Sequence, residues 1–331
     1  MIVSRTPYRI SFFGGGTDYP NYYLKHGGKT LGVAINKYSY LNIRKLPQFF
    51  DYKHRIVYSK QENCKSISEI VHPSVREVLK FLDVKEGLSI HHDGDIPARS
   101  GMGSSSSFTV GLLNSLYALY NQKKSKDELM YEAIHIEQNL INERVGSQDQ
   151  VFASHGGFNI INFNKDGKIK VSNLNIATER SELLEDNLML FFSGLSRTAS
   201  EIVAEQIEKT EQNTTNLHSM KSLVDDACNI LNSECDLKQF GELLNDTWKL
   251  KKSLSTKITN STIEEIYQRA MEAGAIGGKL LGAGGGGFLV FYVEKLFQQE
   301  VKDALKDYLH IPFKFEYEGS KIIINEPNYA G

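Results

Sequence analysis

Apolar and polar positions change their period several times along the chain. IVSRTPYRIS near the N-terminus predicts a strand, and FFGGGTDYP after it a tight loop built on Gly14 to Gly16, Thr17, Asp18 and Pro20. KTLGVAINKYSYLNIRKL alternates as one or two strands, and RIVYS beside Arg55 as another. From Ser66 to Leu82 the pattern turns helical in two pieces, interrupted at Pro73. Val75, Val78, Leu79 and Leu82 there repeat at i, i+3, i+4 and i+7, which gives one apolar face. LSIHH from Leu88 is strand-like. Beyond a glycine- and serine-rich loop, Leu112, Leu113, Leu116, Leu119 and Tyr120 predict a buried helix.

Leu129, Ala133, Ile136 and Leu140 share the face of a further helix, with Glu137 late on it and a turn from Gly146 carrying Ser147, Gln148, Asp149 and Gln150. HGGFNIINF predicts a strand, Asn164 to Lys168 a polar turn, and LMLFFSG at 188–194 an apolar stretch. The polar segment near 175–186 is the expected boundary between an N-terminal domain, 1–180, and a C-terminal domain, 181–331. From Ala199 to about Leu254 the period is helical, and IEEIYQRAMEAG is a helix stopped by Gly274. GGKLLGAGGGGFLVFYV follows, then an amphipathic helix from Phe297 to Tyr308. FKFEYEGSKIIIN reads as two strands about a Gly319-Ser320 hairpin.

With 331 residues the chain has room for two domains. Hydrophobic residues at 40% and charged residues at 24% are ordinary for a globular protein. A net charge of −2 lacks the basic excess of a nucleic-acid binder. No apolar run approaches the roughly 20 residues of a membrane span, and MIVSRTPYRISFFGGG lacks the pattern of a signal peptide. Three cysteines without CxxC spacing, Cys64, Cys228 and Cys235, argue against a disulfide framework or zinc site. A cytoplasmic protein without nucleic-acid or membrane partners is expected, and a homodimer is compatible with the sequence. His91 and His92 adjoin on a strand, so they face opposite sides and make poor co-ligands. Tyr22 and Tyr23 are expected in the core.

The stretch richest in chemistry is PARSGMGSSSS, Pro97 to Ser107. A glycine loop opening a helix aims free N–H groups and the positive end of the helix dipole at one spot, which suits a phosphate. No GxxxxGK[ST] sequence occurs, so the cation must come from elsewhere. LGAGGGG at 281–287 contains GxGxxG formally, but the helix precedes it and the strand follows, the reverse of a dinucleotide-binding turn. A glycine turn packed closely against another loop or a ligand fits better. No HRD or DFG sequence accompanies it.

RISFFGGGTDYP, PARSGMGSSSS and KLLGAGGGGF, in that order from 9 to 288, resemble the three motifs of the GHMP kinases, named for galactokinase, homoserine kinase, mevalonate kinase and phosphomevalonate kinase. TDYP after three glycines is most similar to the D-glycero-D-manno-heptose 7-phosphate kinases of the sugar branch. The resemblance implies an α+β, two-domain fold: an N-terminal domain like ribosomal S5 domain 2 and a ferredoxin-like C-terminal one, with ATP and Mg²⁺ bound where they meet.

On that resemblance Pro97, Arg99, Ser100, Gly101, Met102, Gly103, Ser104, Ser105 and Ser106 wrap the nucleotide, and Ser105 with Glu137 holds Mg²⁺. A hard cation takes oxygen ligands and keeps several waters, so one hydroxyl, one carboxylate and phosphates suffice. Asp149, twelve positions after Glu137, matches the catalytic base, and Arg9 the basic residue of the first motif. Asp18 matches the aspartate that binds sugar hydroxyls, with Gly15, Gly16 and Thr17 around it. Galactokinases carry Glu-His where this chain has Gly15 and Gly16, which leaves space for a bulkier sugar. Arg197 is expected at the substrate, and Gly284 and Gly285 bring the third loop close to it. Arg99, Lys249 and Lys252 are further candidates for gripping a sugar phosphate.

The implied reaction moves a phosphoryl group from ATP to the anomeric hydroxyl of a heptose 7-phosphate, giving the 1,7-bisphosphate used for nucleotide-activated heptose and surface polysaccharide. A kinase for another sugar of the fucose or hexosamine type, a non-catalytic sugar or nucleotide sensor of the same fold, and a dehydrogenase are the competing readings.

Overall fold

A computed structural model describes residues 1–195, 204–205 and 207–326. β1 (Ile2–Phe13) and β2 (Gly28–Lys45) form a long antiparallel hairpin joined through the short helix α1 (Pro20–His26). β2 is one 18-residue strand rather than two. Its first part, Gly28 to Val33, pairs with β6 (Phe158–Phe163), and its last part, Ser39 to Lys45, with β5 (Leu88–Gly94). β3 (His54–Val57) lies parallel to β5, β4 (Gln61–Cys64) pairs with β3, and β7 (Ile169–Asn173) pairs with β6. α2 (Pro73–Phe81) starts at the expected proline, and α3 (Ser104–Leu119) is apolar nearly all round. Phe108, Val110, Leu112, Leu113 and Leu116 of α3 are buried with Ile43, Ile90, Val75 and Val78, so α3 is an interior helix.

α4 (Lys126–His135) opens with a capping box between Ser125 and Glu128, then widens into a π-helical turn from Ile136 to Leu140. The wider turn shifts the expected face. Leu129, Ala133 and Ile136 stay buried, Leu140 swings outward, and Glu137 is turned fully inward. The expected turn at Ser147 to Gln150 is the start of a helix, α5 (Gln148–His155). The polar segment at 175–186 likewise contains a helix, α6 (Thr178–Asp186).

β8 (Leu188–Phe192), β9 (Gly277–Leu280), β10 (Phe288–Tyr292) and β11 (Leu309–His310) form a second, four-stranded antiparallel sheet in the order β11-β8-β10-β9. α7 (Thr214–Leu231), α8 (Lys238–Ser253), α9 (Ser261–Glu272) and α10 (Gln298–Ala304) accompany it. The expected C-terminal hairpin does not form. β12 (Lys321–Asn325) pairs with β1 instead, and Phe315 makes an isolated bridge to Ile35. A single cut near 180 therefore does not separate the two sheets, because an edge strand for β1 comes from the far end of the chain.

The two units share a core. Phe12 and Phe13, at the end of β1, meet the ring of Phe240 on α8 edge-on at 5.3 and 5.1 Å. Leu190, Leu281, Phe288 and Val224 belong to the same cluster. This packing fixes the end of β1 against the second sheet and thereby sets the position of Arg9. Tyr22 and Tyr23 are buried, and Tyr23 stacks on Phe163. His91 and His92 are held by Ser89 and Ser39. The three cysteines are unpaired. No helix among the described residues is long and apolar enough to cross a membrane.

Candidate active site

The ends of β1, α3 and α5 and the loop after β9 enclose a cleft of about 700 Å³. On its wall Arg9 reaches across from β1 to Asp149 in the first turn of α5. Nε donates to Asp149 Oδ1 at 2.8 Å and Nη2 to Oδ2 at 2.9 Å, the two-pronged geometry a guanidinium offers a carboxylate. Nη1 donates to the Gly101 carbonyl at 2.6 Å, and the Arg9 backbone N–H to the Met102 carbonyl at 3.2 Å. One residue thus ties the base of the glycine-serine loop to Asp149. Asp149 is only part-buried, so the carboxylate remains accessible from the cleft.

Asp18 also lines the cleft and is buried. Its Oδ1 accepts from the Gly16 N–H at 3.0 Å and its Oδ2 from Gln148 Nε2 at 3.0 Å, while its carbonyl accepts from the Ser147 N–H. Burial, and then the charge of nearby Asp149, pushes its carboxyl up to about 6. Gly15 and Gly16 line the cleft beside it. Thr17 does not. Its hydroxyl is buried and donates to the Gly14 and Lys29 carbonyls, so Thr17 shapes the loop rather than facing a ligand.

α3 begins at Ser104, after Gly103 in the left-handed conformation. The first N–H groups of a 16-residue helix therefore open toward the cleft, with Ser104, Ser105 and Ser106 along its edge. Arg99, Gly101 and Gly103 line it too. Pro97, Ser100 and Met102 do not: the Ser100 hydroxyl closes a turn onto the Pro97 carbonyl, and Met102 is in the core. The third loop packs directly on the second. A Cβ on Gly282 would meet the Gly101 Cα at 2.4 Å, so bare backbones touch there. Gly282 and Ala283 face the cleft, whereas Gly284 and Gly285 pack on Ile258 and Asn260 outside its lining.

Glu137 lies behind the serines, fully buried. Its Oε2 accepts from the Ser106 hydroxyl at 2.8 Å and from Gln150. Ser106 is thus the hydroxyl bonded to Glu137, while Ser105, expected with Glu137 at the metal, is exposed to the cleft. Oε1 has no hydrogen-bond partner among the described residues; the Thr109 hydroxyl beside it donates to the Ser105 carbonyl. Burial pushes the carboxyl up to about 7. An orphaned buried carboxylate oxygen behind a row of hydroxyls fits a hard divalent cation that takes its other ligands from phosphate and water. Among the described residues no cluster of three or more His, Cys, Asp or Glu side chains forms a fuller metal cage.

Two lysines missed in the sequence, Lys251 and Lys279, complete the lining. Lys251 follows Leu244, Thr247 and Trp248 at i+7, i+4 and i+3 on the buried face of α8, and Lys279 immediately precedes the third loop. The periodicity was the available signal for Lys251. The neighbouring candidates turn away: Lys249 pairs with Asp246 and Lys252 with Glu264. Arg197 lies outside the described residues.

Residues 69–157 match the GHMP kinases N terminal domain and residues 231–311 the GHMP kinases C terminal, together about half the chain. The D-glycero-alpha-D-manno-heptose 7-phosphate kinase of Campylobacter jejuni is 28% identical over 97% of this chain and 98% of its own. The galactokinase of Pyrococcus furiosus is 24% identical over 100% of this chain and 99% of its own. Among solved structures, a D-glycero-D-manno-heptose 1-phosphate kinase from Bacteriodes thetaiotaomicron superposes with a TM-score of 0.80, 24% identity and coverage of 99% of this chain and 100% of that one.

Proposed function

The chain belongs to the GHMP kinases, ATP-dependent phosphotransferases acting on hydroxyl groups, and from that premise we propose that it phosphorylates the anomeric hydroxyl of D-glycero-D-manno-heptose 7-phosphate to give the 1,7-bisphosphate. The observation that carries this reading is the two-pronged Arg9–Asp149 pair, accessible from the cleft and tied through Gly101 to the loop that opens α3. The heptose 7-phosphate kinase name of a relative matched over nearly the whole chain supports the sugar.

In this reading the N–H groups at the start of α3 and the hydroxyls of Ser104 and Ser105 bind the ATP phosphates. Asp149 accepts the proton of the acceptor hydroxyl as that oxygen bonds to the γ-phosphorus. The bond from γ-phosphorus to the bridging oxygen breaks, and ADP leaves with the electron pair. Arg9 keeps Asp149 aimed, since a fork of two N–H bonds leaves the carboxylate little rotational freedom. Asp18, with Gly16 and Gln148 fixing its oxygens, orients the sugar hydroxyls. Glu137, with Ser105 or Ser106, would hold Mg²⁺, which when bound neutralises charge on the phosphates.

The deciding experiment offers the purified protein ATP with a panel of sugars and maps each product by phosphorus NMR. The expected result is ADP formation with heptose 7-phosphate and a new anomeric phosphate. Turnover only with unphosphorylated fucose- or hexosamine-type sugars would overturn the substrate, and binding without turnover of any sugar would make the protein a sensor.

A further inference from the structure

Two ammonium groups face the cleft that the transfer step leaves unused. Lys251 is 7% exposed and Lys279 3%, and both line it. Lys279 Nζ donates to the carbonyls of Ser11 at 2.9 Å and Phe12 at 2.7 Å. Lys251 Nζ donates to the carbonyls of Leu280 at 2.8 Å and Gly282. An ammonium has three N–H donors, so each keeps one free after serving two carbonyls. Neither forms an ion pair among the described residues, whereas Arg9 nearby is already matched by Asp149.

Burying a charge is unfavourable unless something opposite faces it. Here burial, and then Arg9, lowers Lys251 to about 7; burial, then Lys251 and Arg9, holds Lys279 well below the usual lysine range. The three cations therefore feel one another, and only Asp18 acts in the opposite direction on Lys279. Burial and mutual repulsion work against both charges, so an anion entering beside the two amines is favoured because it restores their protonated forms. The nucleotide side already has its donors at the start of α3. Lys279, anchored on Ser11 and Phe12 and sensing Asp18, sits with the loop of Gly15, Gly16 and Asp18 that faces the acceptor.

We infer that Lys251 and Lys279 form a subsite for a phosphate monoester already present on the acceptor, held between α8 and the end of β1 while the reacting hydroxyl faces Asp149. The subsite makes the enzyme select a phosphorylated sugar over its unphosphorylated counterpart. Naming that anion as the acceptor's phosphate rests on the sugar-phosphate reading above.

Steady-state kinetics of the Lys251→Met and Lys279→Met variants of the 331-residue chain test the subsite. The expected result is a KM for heptose 7-phosphate raised at least ~10-fold in each, the scale of losing one charged hydrogen bond. The KM for ATP should stay within about twofold, and the preference for phosphorylated over unphosphorylated heptose should fall by at least ~10-fold. Lys251→Arg should recover part of that preference. A lower kcat with unchanged KM would place the lysines on the transferred phosphoryl and overturn the subsite. Should the methionine variants fail to fold, wild-type inhibition decides: inorganic phosphate competing with the sugar phosphate supports the subsite, and competition with ATP alone overturns it. If the wild type turns over only unphosphorylated sugars, the substrate reading fails by itself. The anion site then survives if inorganic phosphate raises the melting temperature with ATP already bound, and falls if it does not.

Discussion

A Cβ on Gly146 would lie 1.9 Å from Asp18 Oδ2, so the carboxylate of the first loop occupies the place where a side chain on the loop before α5 would project. Asp18 can move away into the cleft only by giving up its bonds from Gly16 and Gln148. Gly146→Ala should displace it, raising the KM for the sugar at least ~10-fold and lowering stability by about 1–3 kcal/mol, the usual range for overpacking. Sugar kinetics and thermal melting check both. An unaltered sugar KM would separate Asp18 from acceptor binding.

Asp149→Asn removes the proposed proton acceptor and keeps the shape of the side chain. Turnover should drop at least ~10²-fold, the scale of losing a general base, while ATP affinity measured by calorimetry is retained. Arg9→Lys should also lower turnover, because an ammonium cannot form the fork that orients Asp149. Near-normal kcat in Asp149→Asn would remove Asp149 from the base role.

Glu137→Gln keeps an oxygen for the Ser106 hydroxyl and removes the charge that a divalent cation would meet. The Mg²⁺ concentration giving half-maximal rate should rise at least ~10-fold, with the sugar KM little changed, since one carboxylate is the main protein charge on a Mg²⁺–phosphate site. A Mg²⁺ titration at fixed ATP checks this, and an unshifted midpoint would mean that Glu137 serves only Ser106 and Gln150.

The folded Asp18 carboxyl, near 6, binds its proton more tightly than an ordinary one at 3.8. Between about pH 4 and 6 the folded protein therefore holds more protons than the unfolded chain, and this contribution to stability is lost as pH rises through that window. The loss is on the order of 3 kcal/mol. Urea unfolding across this range should show Asp18→Asn with a flatter decline than the wild type. Glu137 and Glu143, whose carboxyls burial also raises, contribute to any remaining fall toward pH 7.

Much of the site was legible because its motifs are local. Glycines and serines that open a helix announce themselves within a dozen residues, and Arg9, Asp18, Gly101, Gly103 and Asp149 all reach the cleft. Thr17, Gly284 and Gly285 belong to the same motifs yet face elsewhere, since a motif sets backbone shape before it sets the direction of each side chain. Lys249 and Lys252 carry the charge but pair outward with Asp246 and Glu264, while the helical period turns Lys251 inward between them.

The sequence by itself determined the element types of most strongly periodic segments, the two glycine loops that now touch, and the residue types for phosphoryl transfer. Only the tertiary structure decided that β12 returns to β1, that a π turn points Glu137 at Ser106, and that Arg9 meets Asp149 across 140 positions. Periodicity reports what a residue does relative to its near neighbours along the chain. Which distant charges meet in one cleft depends on how Phe12, Phe13 and Phe240 lock the two sheets together, and no local pattern encodes that distance.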